Sequence, residues 1–193
     1  MFDHEEFKSL LTLNQQRLIG QYVDELKIYN DHTNIYSKKS YDRLNDHIYD
    51  SISLSTLIKS ASLTVDFGSG SGLPAIIVAI CNGTSVICVE SKLKKRLFLK
   101  HVVDRLKLTN VTVFDGDVQL FSKMHSGAKI DAITAKAFAK PPKLIWYLSM
   151  LSKQSLSKEV SCWVPVSDDQ LLVLKQIGEV VQIQLSGSVF NYF

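Results

Sequence analysis

Gly68, Gly70 and Gly72 stand at alternate positions, and Glu90 follows Gly70 by twenty residues. A glycine turn lets a ligand approach the backbone, and a carboxylate at that distance accepts hydrogen bonds from ribose hydroxyls. Read from Gly70, the segment GSGLPA satisfies the pattern G-x-G-x-x-[GA]. Folds that bind a dinucleotide and folds that bind S-adenosylmethionine share this arrangement, so the turn alone leaves both open. A turn that merely connects two elements is the third reading. No Gly-Lys-Ser/Thr follows, which excludes a P-loop. Asp66, two residues before Gly68, can orient the turn or meet the cationic amino-acid end of a methyl donor. A pyrophosphate would be repelled there. Later in the chain no histidine and carboxylate sit together after a strand, as hydride transfer would require.

These residues need elements to position them, and the apolar spacing supplies a reading. Leu18, Ile19, Tyr22, Val23, Leu26 and Tyr29 recur at three- and four-residue steps, as do Leu44, Ile48 and Ile52, predicting two helices before residue 62. SLTVDF then predicts a strand that runs into the glycines, with Pro74 in the first turn of a buried helix AIIVAI. TSVICVE is a second strand ending in Glu90, and a helix capped by Ser91 follows. NVTVFDGD, KIDAITAKA, KEVSCWVPV and EVVQIQL complete six strands, with helices at PKLIWYLSML and SDDQLLVLKQI. Alternating strands and helices predict an α/β, doubly wound, mostly parallel sheet of Rossmann-like type. The division is 1–62 as an N-terminal helical cap and 63–193 as the ligand-binding domain, forming one compact unit.

Composition narrows the partners. The 193 residues carry a formal net charge of +3, with a sequence pI near 8.7, which permits nucleic acid without demanding it. Three cysteines, Cys81, Cys88 and Cys162, show no CxxC spacing, so neither a disulfide framework nor a metal site is expected. No apolar run approaches the ~18 residues of a membrane span. The N-terminus lacks the basic start and long apolar run of a signal peptide. A reduced, cytoplasmic protein without metal or membrane contact, and a monomer, is expected.

Several ordered motifs carry a more specific likeness. VDFGSGSGLPAIIVAI, followed by VESKLKKRLFLKHVVDRLKLTNVTVFDGDVQ, resembles the bacterial 16S rRNA (guanine-N7)-methyltransferase family, formerly called glucose-inhibited division protein B. YNDHTNIYS and LNDHIYDSISL resemble that family's asparagine-rich loop and its His-x-x-Asp-Ser helix. AITAKAFAKP resembles its Ser-Arg-Ala-Phe-Ala stretch, and the similarity runs from about residue 14 to residue 165. Ala75 stands where the family usually has glycine, Lys136 where it has arginine, and Gln119 where it has glutamate; the C-terminal strands diverge after Leu185. The resemblance implies S-adenosyl-L-methionine as cofactor, with Gly68, Leu73, Val118, Gln119 and Lys136 lining its site or the edge. Asp66, Gly70, Gly72 and Glu90 complete the expected cofactor-binding set.

The implied reaction, methylation of guanine N7 in small-subunit rRNA or the 30S subunit, suits a sequence without a catalytic dyad. N7 has a lone pair and no proton, so no general base is required. Lys136 is assigned to positioning the acceptor or donor. Lys92, Lys94, Lys95, Arg96, Lys100, Arg105 and Lys107 crowd one helix, and Lys38, Lys39 and Arg43 form a second patch, both candidates for phosphate. His47 and Asp50, three apart, share a helix face. The competing readings are an NAD-dependent reductase and a non-catalytic RNA-binding module on the same fold.

Overall fold

The computed structural model describes residues 9–151, 155–164, 181–185 and 188–192. Helix α1 (Leu13–Thr33) starts at Thr12, which exchanges side-chain and backbone bonds with Gln15 in a capping box, and stops at Asn34 in the left-handed region. A 3-10 turn (Lys38–Arg43) leads into α2 (Leu44–Leu57). The α/β part runs β1 (Leu63–Phe67), α3 (Ala75–Asn82), β2 (Ser85–Glu90), α4 (Leu93–Leu106), β3 (Val111–Asp115), α5 (Val118–Met124) and β4 (Ile130–Thr134). It continues with α6 (Pro141–Ser149), β5 (Leu156–Trp163), β6 (Val181–Leu185) and β7 (Ser188–Tyr192).

Five strands form one parallel sheet in the order β3-β2-β1-β4-β5. Successive side chains on a strand face opposite ways. Val86 and Cys88 therefore join a core with α1, α2, α3 and α4, while Val65, Phe67, Val89 and Ile133 join a second core with α5 and α6. Both faces are covered, which is why the central strands read as continuous apolar runs. The cap shares its apolar cluster with α3 and α4, and its Tyr22 hydroxyl donates to the Ser71 carbonyl at 2.8 Å. The first helix thereby anchors the glycine turn directly.

Three expectations are revised. The sixth strand does not extend the parallel sheet; β6 pairs antiparallel with β7 in a separate two-stranded sheet. Only two residues separate these strands, and a parallel partner needs a crossover of a dozen or more. Ser91 does not cap α4: Lys92 occupies that position, without a side-chain cap bond. Helix α5 was not expected; Asp117, whose side chain accepts from the Leu120 N–H at 2.8 Å, is its start signal. The helix expected over 167–177 lies outside the described residues. Among the described residues no helix is long and apolar enough to cross a membrane, and no cluster of three metal-ligating side chains occurs.

Candidate functional site

The strand order reverses between β1 and β4, and in sheets of this kind ligands bind in the crevice beyond the strand ends at such a point. A cleft of about 260 Å³ lies there, lined by Gly68 after β1, Glu90 at the end of β2, Val118 at the start of α5, and Phe138 and Tyr147 beyond β4. Lys92 and Lys95 set positive charge at its edge.

The glycine turn is held by its own backbone. Gly68 and Ser69 N–H groups donate to the Val89 carbonyl at 2.8 and 3.2 Å, and Gly72 N–H donates to Ser69 at 2.7 Å. Gly70 N–H donates to Glu90 Oε2 at 2.9 Å. All three glycines have positive φ, at 72°, 59° and 96°. Their surroundings differ. A Cβ on Gly68 would lie 2.4 Å from the Phe138 ring, and one on Gly72 would lie 2.6 Å from Ile76. A Cβ on Gly70 would meet nothing closer than 3.6 Å. Gly68 and Gly72 are thus required both by backbone angle and by close packing, whereas Gly70 is required by its backbone angle alone and leaves space above the turn.

Glu90 is 5% exposed, and its Oε1 accepts from the Lys92 N–H at 2.8 Å. One carboxylate therefore braces the turn and the entry to α4 together. An ionised carboxylate offers about four acceptor positions, so each oxygen retains one for a ligand hydroxyl. Asp66 lies beneath the turn, 1% exposed, with Oδ1 accepting from Thr134 Oγ1 at 2.6 Å and Oδ2 buried without a partner. Burial pushes its carboxyl up to about 6, against the hydrogen bond from Thr134.

A pH dependence follows from Asp66. The folded state keeps this proton up to about pH 6, whereas an unfolded chain releases it near ~4. Between those values the folded state binds more protons, so this group's contribution to stability falls as pH rises. The effect reaches about 3 kcal/mol at most, at 1.36 kcal/mol per pKa unit. Urea unfolding from pH 4 to 7 should show that slope, and Asp66→Asn should flatten it. Equal slopes in the two proteins would contradict the assignment.

Of the other expected site residues, Val118 lines the cleft, whereas Gln119 is exposed on α5 and Leu73 belongs to the apolar core. Lys136 lies apart from the cleft lining. Its Nζ donates to Asp50 Oδ2 at 2.9 Å, with both side chains less than a fifth exposed. The same corner holds His47, whose Nδ1 lies 2.6 Å from the Tyr36 hydroxyl. Burial, and then the Lys136 charge, lower the His47 pKa. His47 and Asp50 therefore do not pair with each other along the helix; each reaches a separate partner. The basic helix is also partly neutralised: Arg96 and Lys100 pair with Asp115, and Arg105 with Glu25. Sequence reasoning passed over Phe138 and Tyr147 at the cleft, and Lys95 entered only as one charge among seven. The position of Phe138 just beyond β4 was the available signal.

A doubly wound sheet with a glycine turn, a strand-end acid and a cleft at the switch point defines a Rossmann-like nucleotide-cofactor fold. A solved O-methyltransferase from Bacillus cereus in complex with SAH shares it, with a TM-score of 0.60 at 15% identity over 89% of this chain and 88% of that one. The chain belongs to the rRNA small subunit methyltransferase G (GidB) family, whose model matches residues 15–157. It is 32% identical over 146 residues to the ribosomal RNA small subunit methyltransferase G of Neisseria meningitidis serogroup C, covering 75% of this chain and 68% of that one. The Thermobifida fusca protein of the same name is 36% identical over 109 residues, which span 55% of this chain but 45% of the relative.

Proposed function

We propose that this protein uses S-adenosylmethionine to methylate guanine N7 in small-subunit (16S) rRNA, free or assembled in the 30S subunit, as a cytoplasmic monomer. The cap, 1–62, and the domain 63–193 act as one unit. The observation that carries the choice of cofactor is the state of the glycine turn. Gly68, Ser69, Gly70 and Gly72 N–H groups are engaged within the protein, and Pro74 has none. A pyrophosphate is held by free N–H groups at such a turn and helix start. The acceptors beside the turn, the Glu90 and Asp66 carboxylates, instead match an adenosine with a cationic amino-acid end. Glu90 accepts the ribose hydroxyls, and the unpartnered Asp66 Oδ2 adds negative potential under the turn.

When bound, S-adenosylmethionine supplies a methyl group on a sulfonium, which the N7 lone pair takes as the sulfur leaves as a neutral thioether. The protein has no proton to move. Its residues hold the two reactants in line and exclude water, a contribution of ~7–11 kcal/mol for well-oriented partners. Phe138 and Tyr147 wall the cleft, and Lys92 and Lys95 present charge to a carboxylate or phosphate. Lys136 acts as a positioning residue together with Asp50, and that pairing neutralises the repulsion a lone cation would exert on a sulfonium.

Removing the Lys136 side chain strands the Asp50 carboxylate, whose Oδ1 already lacks a partner. Lys136→Ala should cost about 1–3 kcal/mol of stability, the usual range for an orphaned buried polar group. Asp50→Asn in that background should recover part of it. Methyl transfer should fall with SAH affinity within twofold of the wild type, and Lys136→Arg should preserve both. Loss of SAH affinity in parallel with activity would instead assign the lysine to the donor.

The cofactor choice is tested by thermal unfolding with SAH or NADH. Ligand at a hundred times its Kd adds ~2.7 kcal/mol, which raises Tm on the order of 5–10 °C for a chain of this size. SAH should produce that shift and NADH none. Equal stabilisation by NADH would overturn the reading in favour of a reductase.

A further inference from the structure

An aromatic series leads from the core to the surface beside the cleft. The Phe67 ring lies 6.0 Å from Phe138, Phe138 lies 5.2 Å from Tyr147, and Tyr147 lies 5.0 Å from Trp146. Phe67 is fully buried, Phe138 and Tyr147 line the cleft, and Trp146 is 47% exposed. Helix α6 carries the outer members, and Lys143, four residues before Tyr147, places its Nζ 5.7 Å from that ring's centroid. Lys140 and Lys143 are exposed, and from residue 132 to 158 the chain contains no aspartate or glutamate. Beyond its contact with Tyr147, Trp146 leaves nearly half its surface open to solvent. With Lys143 one helical turn before it and Lys140 at the helix start, its exposed part matches one chemistry closely: an unpaired base stacks on the ring while phosphates along the strand meet the ammonium groups.

We propose that Trp146, on the helix that also carries Lys143 and is capped by Lys140, is a stacking platform for single-stranded RNA, holding a nucleotide next to the guanine that enters the cleft. The proposal rests on the reading of the protein as an rRNA methyltransferase and adds to it the surface that grips the acceptor. Continuity with the cleft supports this occupant, because the series of rings that ends at Trp146 also walls the site where the methyl group is transferred. A guanine must leave its stack to reach an enclosed site, and the nucleotide beside it then has one face without a stacking partner. Trp146 offers that face a replacement. The positive, acid-free flank fits a polyanion.

The test uses the intact protein and a short fluorescein-labelled single-stranded RNA of mixed sequence, followed by anisotropy, with SAH titrated separately by calorimetry. Trp146→Ala should weaken RNA binding roughly ten- to hundredfold, the usual value of one base–aromatic stack. SAH affinity should stay within twofold, and KM for RNA should rise more than kcat falls. Trp146→Phe, which retains a ring, should recover most of the RNA affinity. Unchanged RNA affinity and KM in Trp146→Ala, with methyl transfer intact, would overturn the platform and leave the enzyme reading standing. Loss of activity only on assembled subunits, with naked-RNA affinity unchanged, would overturn it in favour of a protein contact. A wild-type protein that neither binds SAH nor transfers methyl groups would refute the enzyme reading, and the platform with it.

Discussion

Glu90→Ala should lower the affinity for SAH by about 1.5–3 kcal/mol, or roughly 10- to 150-fold, because hydrogen bonds to a charged acceptor carry that value. Its effect should also extend to the fold. Glu90 takes the Gly70 and Lys92 N–H groups, so alanine leaves two part-buried donors at the cleft without their acceptor. Stability should fall by about 1–3 kcal/mol for each donor that water does not reach. Glu90→Gln separates the two roles. Its amide keeps one accepting oxygen but turns an NH2 group toward the other backbone donor, so it should lose affinity like alanine while recovering part of the stability. Calorimetry of both variants checks this. Affinity equal to wild type in both would show that the ribose is held elsewhere and that Glu90 only braces the turn.

The second large effect is expected at Gly68. A side chain there meets two separate obstacles. The positive φ of 72° costs about 1–2 kcal/mol for an L-residue, and a Cβ 2.4 Å from Phe138 forces the ring to move. Overpacking of this kind costs typically ~1–3 kcal/mol. Gly68→Val should therefore lose roughly 2–5 kcal/mol of stability and most of its SAH binding, since the displaced ring is a cleft wall. Gly70→Ala should show only the backbone cost, because a Cβ there enters open space. Phe138→Ala placed in a Gly68→Ala background should restore part of the lost stability, although each change alone destabilises. Simple additivity of the two would mean that the ring and the glycine are not in contact.

These two sites show what the sequence could reveal and what it could not. The β1–turn–α3 unit was legible because three glycines at alternate positions interrupt an otherwise apolar segment, a pattern with a local cause. Glu90 was legible as a strand-end acid beside the turn because its distance from the glycines fits one βαβ unit. That the same carboxylate also braces Gly70 and Lys92 was not legible, since backbone partners leave no trace in residue types. The contact of Gly68 with Phe138 joins residues seventy positions apart across the switch point, and the Lys136–Asp50 pair spans eighty-six. Neither has a periodicity to betray it. The resemblance named Lys136 but could not supply its partner. Helix α5 was missed because seven residues are too few for a helical period to emerge, and Asp117 alone announced it. Strand β6 was found, but its pairing was not. A strand's pattern states which residues alternate, whereas its neighbour is decided by chain connectivity, here a two-residue link to β7.

The proposed reaction is methyl transfer to guanine N7 of small-subunit rRNA. Its most direct test is to incubate the purified protein with methyl-labelled S-adenosylmethionine and unmethylated small subunits or their rRNA, then map N7-methylguanosine by reductive strand cleavage at the modified base. Label in the rRNA, cleavage at a single guanosine, and loss of both signals with Glu90→Ala are expected. Absence of label with the folded wild-type protein, or label on an atom other than N7, would contradict the proposed reaction.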